Sequence, residues 1–268
     1  MNFIEKLLNA SRQSHSLVCV GLDPDPELMP EVGVFEFNKA IIDATADLVC
    51  AYKPNLAFYE ALGLEGLTAL SKTVAYVPKT IPVIGDAKRG DIGNTARAYA
   101  KALFETIAFD AVTVNPYLGY DSIEPFLAHR DRGVFILCKT SNPGSSDFQT
   151  AICGNRPLYE IVAQRARDWN ASGNVGLVVG ATYPWELKNV RALCPDMPIL
   201  IPGVGAQGGD VAASVHNGVD AQGEKAIINS SRQIIYASRD KDFAVAARKQ
   251  AMKLRDQINQ ARAGMKGE

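Results

Sequence analysis

Apolar, β-branched runs recur along the chain, each followed by a longer stretch whose apolar positions fall three and four apart. Eight such runs stand out: SLVCVGLD (16–23), LVCAYKPN (48–55), IPVIGDAK (81–88), AVTVNPY (111–117), GVFILCKTS (133–141), VGLVVGAT (175–182), PILIPGVG (198–205) and KAIINSS (225–231). Their near-continuous hydrophobicity predicts strands buried on both faces, as in a parallel sheet. FEFNKAIIDATADL, NTARAYAKALFETI and PLYEIVAQRARDW read as amphipathic helices between them, and DFAVAARKQAMKLRDQINQARA as a last helix. NFIEKLLNAS predicts a short helix before the first strand. Eightfold strand–helix alternation predicts a (β/α)8 TIM barrel, one domain over residues 1–268. A doubly wound open sheet built from the same elements is the alternative. No linker or low-complexity tract divides the chain. The stretch 142–156, NPGSSDFQTAICGNR, lacks a clear pattern. It fits an active-site loop and a floppy connection equally.

A barrel carries its active site at the C-terminal ends of its strands. The predicted ends are Asp23, then Lys53, then Asp86 with Lys88, then Asn115, then Thr140 with Ser141. The seventh opens into a glycine loop with Gln207, and the eighth ends in Ser230, Ser231 and Arg232. Loops are polar anyway, so convergence on one rim carries the weight. Asp86 and Lys88 are two apart on a strand and share a face. Asp91 lies past the strand end, before the helix. Opposite charge nearby favours a lysine's ammonium form. A Schiff-base lysine has to be neutral, so the pattern suits a lysine that delivers a proton to a developing carbanion. Lys53, at the neighbouring strand end, would complete an alternating array of two lysines and two aspartates. In isolation the Asp86-x-Lys88-x-x-Asp91 pattern also fits a solvated loop or a helix cap. The barrel register tips the balance to chemistry.

Composition narrows the field. With 47% apolar and 21% charged residues, the chain is an ordinary soluble globular one. A net charge of −1 marks no nucleic-acid or anionic-membrane partner, so an anionic substrate has to be caught locally. Five cysteines form no CxxC pair, and three lie inside apolar runs, which predicts buried thiols in a reducing compartment. Three histidines lack metal-ligand spacing, so no metal is expected. MNFIEKLLNASRQS has neither signal-peptide nor membrane-span character, which makes a cytoplasmic protein the expectation.

Gly203-Val-Gly205-Ala-Gln207-Gly208 matches the dinucleotide pattern G-x-G-x-x-G. It follows the seventh predicted strand, however, and the next strand ends in an arginine rather than an acid. Barrels often bind phosphate with the loops after strands seven and eight. Gln207, the N–H groups of Gly208 and Gly209, and the Arg232 fork are the candidate phosphate ligands. A plain tight turn is the bland alternative.

The block DAKRGDIGNTA resembles the D-x-K-x-x-D-I-x-x-T signature of the orotidine 5′-monophosphate decarboxylase family. VGLDPDP, YKPNLAFYE, TSNPGS and IPGVGAQGGD extend the resemblance in family order from about residue 17 to 236. The resemblance implies a (β/α)8 barrel that works as a homodimer without metal or organic cofactor, converting orotidine monophosphate to UMP and CO2. It implies that Lys88 protonates C6, that Asp86 sits by the substrate carboxylate, and that Lys53 holds Asp86 and the ribose. Asp91 and Thr95 would reach the ribose of the other subunit's ligand. Asp23 would take a ribose hydroxyl, Ser141 the base edge, and Gln207 and Arg232 the phosphate. Arg89, beside this array, is expected to point away into a salt bridge or a dimer contact. One rival is a related Mg²⁺-dependent sugar-phosphate decarboxylase or aldolase, which places a glutamate where Lys53 stands. The other is a non-catalytic nucleotide-binding barrel.

Overall fold

A computed structural model describes residues 1–204 and 209–265. Its main sheet has eight parallel strands: β1 (Val18–Leu22), β2 (Ala51–Pro54), β3 (Ile84–Arg89), β4 (Ala111–Val114), β5 (Gly133–Lys139), β6 (Val175–Val179), β7 (Ile199–Pro202) and β8 (Ala226–Ser230). The strands follow the order β2-β1-β8-β7-β6-β5-β4-β3. Parallel bridges Tyr52↔Val83 and Asn55↔Asp86 then bring the two edge strands together, so the sheet comes round on itself. That closure removes the open-sheet alternative. One of the two closing bridges falls on Asp86 itself.

The alternation of side chains along each strand sets up the site. A lower interior layer is apolar: Cys19, Ala51, Ile84, Ala111, Phe135 and Ile227 pack together. Phe3 and Leu7, from the helix Phe3–Ser14, join this layer, with the Phe3 ring edge-on to Phe135 at 5.6 Å. The helix starts from a capping box between Asn2 and Glu5, which fixes where its apolar face begins. Two residues further along the same strands stand Gly21, Lys53, Asp86, Thr113, Leu137 and Asn229. A strand step of two keeps the face, so these residues form the next layer up. All but Gly21 line one cavity. Outward residues such as Val20, Leu22, Val112 and Val114 pack in the outer core with Phe37, Ile41 and Leu254 of the surrounding helices.

The strands are shorter than the apolar runs. AVTVNPY ends as a strand at Val114, because Pro116 opens a 3-10 turn, Pro116–Leu118. The predicted helix through residue 107 is helical over Gly93–Lys101 and continues as a π-helical segment, Ala102–Thr106. The stretch 142–156 is not a featureless connection. It carries a 3-10 turn, Pro143–Asp147, and a small hairpin pairing Ile152–Cys153 with Arg156–Pro157.

Candidate active site

Three of the four residues of the proposed charged array meet at the barrel mouth. Lys53 Nζ lies 3.0 Å from Asp86 Oδ2 and Lys88 Nζ 2.7 Å from Asp86 Oδ1. Lys53 is 3% exposed, so its charge is held inside the barrel. Burial works against that charge, but Asp86 and Asp23 outweigh it and push its pKa above the ordinary lysine value. Burial would likewise raise the pKa of Asp86. The Lys53 and Lys88 charges win, and its carboxyl sits well below the usual carboxylate range. Lys88 has its side chain about half exposed, reaching into the cavity from the strand end.

The cavity has a volume of about 470 Å³. Leu137, Val178 and Leu200 make its apolar floor, and Asp23, Ser141 and Arg232 stand on its walls. Three buried polar atoms on this lining have no hydrogen-bond partner among the described residues: Asp23 Oδ1, Asn229 Oδ1 and Ser230 Oγ. Buried polar groups left unpaired are costly, so their grouping marks a place for a polar ligand. Asp23 is held from behind. Tyr236 donates its hydroxyl to the Asp23 carbonyl at 2.8 Å and accepts the Asp25 N–H at 2.6 Å.

Glycine allows the approach of the loop after β5. A Cβ on Gly180, at the end of β6, would fall 2.8 Å from Ser141 Cα, too close for any other residue without displacing that backbone. Lys139 fastens the same loop: fully buried, it gives its ammonium to Ser145 Oγ and lies over the Tyr183 ring, 3.5 Å from the centroid. Thr140 exchanges hydrogen bonds with the Gln149 amide, its N–H donating at 2.8 Å and its hydroxyl accepting at 2.9 Å. Thr140, Ser141 and Asn142 all line the cavity.

Other expected residues stand elsewhere. Asn115 is exposed and outside the cavity lining, because its side chain accepts the Tyr117 N–H at 3.1 Å and caps the 3-10 turn. Gly209, one of the candidate phosphate ligands, has its N–H 3.3 Å from the Gly203 carbonyl and bridges to Val204. Gln207 and Gly208 lie outside the described residues. Asp91 is half-buried with its carboxylate on the Ile92 N–H, Thr95 is exposed, and neither lines the cavity of its own chain. Arg89 points away, pairing with Glu60 and lying 5.4 Å from the Tyr99 ring centroid. Thr113 and Asn229 are among the cavity residues that inspection of strand ends overlooks. Stepping by two from Ala111 and Ile227 along their strands leads to both.

Residues 16–248 match the model of the orotidine 5′-phosphate decarboxylase / HUMPS family. The chain is 56% identical to an orotidine 5′-phosphate decarboxylase of Roseiflexus castenholzii, over 97% of this chain and 98% of the relative. It is 54% identical to one from Dehalococcoides mccartyi, over 98% and 99% of the two chains. Among solved structures it resembles the OMP decarboxylase of Leishmania donovani, with a TM-score of 0.87, 43% identity, and coverage of 98% of this chain and 99% of that one.

Proposed function

This chain belongs to the orotidine 5′-phosphate decarboxylase family, and from that premise we propose that it converts orotidine 5′-monophosphate to UMP and CO2, with Lys88 as the proton donor. The observation that carries the mechanism is Asp86, with one ammonium on each carboxylate oxygen at the mouth of an apolar-floored cavity. In the reaction the bond from C6 to the carboxylate breaks and its electron pair stays on C6. The Lys88 ammonium gives that carbon a proton, and the neutral amine left behind is reprotonated from solvent. A cation fixed where negative charge develops lowers the barrier most when water is excluded. The substrate itself would cover the exposed side of Lys88.

The other roles follow from position. Lys53 keeps Asp86 ionised and aligned. Asp23 and Asn229, with unpaired buried oxygens, suit ribose hydroxyls. Ser141 suits the base edge, and Arg232 the phosphate, whose remote binding energy can be used to hold the ring in place. No metal is needed in this scheme. Both oxygens of Asp86 are occupied by ammonium groups, which would repel a divalent cation.

The working unit in this proposal is a homodimer whose subunits share each site. Its support is that Asp91 and Thr95 stand outside their own cavity while flanked by exposed Ile92, Tyr117, Leu118 and Tyr120. A cluster of this kind suits burial against a second copy. We further propose a cytoplasmic setting, in keeping with the four buried free thiols of Cys19, Cys50, Cys138 and Cys194. No helix among the described residues is long and apolar enough to cross a membrane.

Lys88→Ala tests the assignment. Decarboxylation should fall by at least the ~10²–10⁴-fold of a lost general acid, with UMP still bound. Turnover near the wild-type rate would remove Lys88 from the chemistry.

A further inference from the structure

We infer that Thr113 is a positioning residue of the reaction, its one hydroxyl setting both the Asp86 carboxylate and the backbone of Lys88. The inference rests on the decarboxylase reading above.

The β3–β4 ladder pairs Gly85 with Val112 and then Arg89 with Val114. β3 therefore advances from Gly85 to Arg89 while β4 advances only from Val112 to Val114. The extra length, Asp86 to Lys88, bulges at the barrel mouth. Bulges of this kind re-aim side chains and leave backbone groups off the ladder. Lys88 takes a left-handed backbone conformation, φ 47°, which costs a residue with a Cβ and persists only where its surroundings enforce it. Its N–H has left the ladder and donates instead to Thr113 Oγ1 at 3.0 Å.

A threonine hydroxyl has one proton to give. Here that proton goes to Asp86 Oδ1 at 2.8 Å, the oxygen that also accepts from Lys88 Nζ at 2.7 Å. The directions are thereby fixed. The Lys88 amide gives to the hydroxyl, the hydroxyl gives to Asp86, and Asp86 accepts the ammonium of the same Lys88. Backbone and side-chain tip of the proton donor are tied to one ring of hydrogen bonds through Thr113. The residue is 1% exposed, and branching at Cβ restricts its χ1, so the hydroxyl is held rather than free to turn. Lys53 grips the other oxygen of Asp86 and does not touch this ring.

Placement errors of an ångström at a reacting centre cost around a hundredfold in rate. Thr113→Val keeps the shape and removes the ring. We expect kcat for orotidine monophosphate to fall by roughly 10- to 100-fold. UMP has no carboxylate at C6, so its Kd should stay within about twofold of wild type. Thr113→Ser should recover most of the rate. A folded Thr113→Val with wild-type kcat would overturn the inference, as would loss of rate that Ser fails to restore. If the Thr113→Val chain does not fold, Thr113→Ser and Thr113→Cys decide, since they differ only in oxygen against sulfur. An active Ser variant beside an impaired Cys variant supports the inference, and equal rates overturn it. Absence of turnover in the wild-type protein would instead fail the decarboxylase reading itself, a result separate from any Thr113 effect.

Discussion

Asp86 is a carboxylate whose water has been replaced by two ammonium groups and a hydroxyl. Its pKa is depressed in the folded chain, because the lysine charges outweigh burial. Such a group stabilises the fold above the unfolded-state value of about 3.9, and the benefit fades as pH falls through the folded value. Lys53 has the opposite sign. Its raised pKa makes its contribution full below the unfolded value of about 10.4 and lost only above the folded one. Both contributions are therefore intact at neutral pH. Asp86→Asn leaves Lys53 buried without its nearest carboxylate, at a cost of about 3–5 kcal/mol at pH 7. The Tm gap between this variant and wild type should narrow as pH falls from about 5 towards 2. A gap constant across that range would contradict the account. At this scale the sequence was informative where chemistry departs from expectation. Two charges two apart at the end of an apolar run have few structural uses, so Asp86 and Lys88 are visible from the pattern, although the bulge rather than regular strand alternation sets where Lys88 points. A threonine in a β-branched strand has an ordinary use, and nothing in AVTV distinguishes Thr113 until the neighbouring strand bulges towards it.

Elements were legible as kinds and less so at their ends. Each of the eight apolar runs marks one of the eight barrel strands, seven containing it whole and the third stopping one residue short of Arg89, because burial on both faces leaves an unmistakable composition. Where a run stops being a strand depends on contacts that sequence does not display. Asn115 looked like a rim residue, yet the following proline turns the chain and the amide caps the turn instead. The loop after β5 depends on a lysine buried at the end of β5 and on a glycine just past the end of β6, and neither dependence shows in the loop's own pattern. Gly180→Ala tests that dependence. The added Cβ has backbone, not a yielding side chain, 2.8 Å away, so Ser141 has to move. The expected result is a destabilisation of about 1–3 kcal/mol, as for other overpacked sites. With it should come a drop in kcat/KM of about tenfold or more, read by steady-state kinetics with a thermal melt alongside. Unchanged kinetics would detach Ser141 from substrate.

At the scale of the molecule, one chain builds most of a site. Lys53, Asp86 and Lys88 meet, while Asp91 remains outside. No spacing rule within a chain anticipates that arrangement. The proposed homodimer accounts for it and makes a numerical prediction. Lys88→Ala and Asp91→Ala proteins should each be nearly inactive. After subunit exchange in equal mixture, random pairing leaves about a quarter of the sites with every native residue, and activity should rise towards that fraction. No recovery after proven exchange would argue against shared sites. The central claim, decarboxylation by a lysine without a metal, has a more direct test. Orotidine monophosphate is mixed with the wild-type protein in excess EDTA and its ultraviolet absorbance followed. The account predicts that the orotate band is lost and UMP accumulates at the same rate with and without the chelator. A band that persists, or that disappears only when Mg²⁺ is supplied, would contradict it.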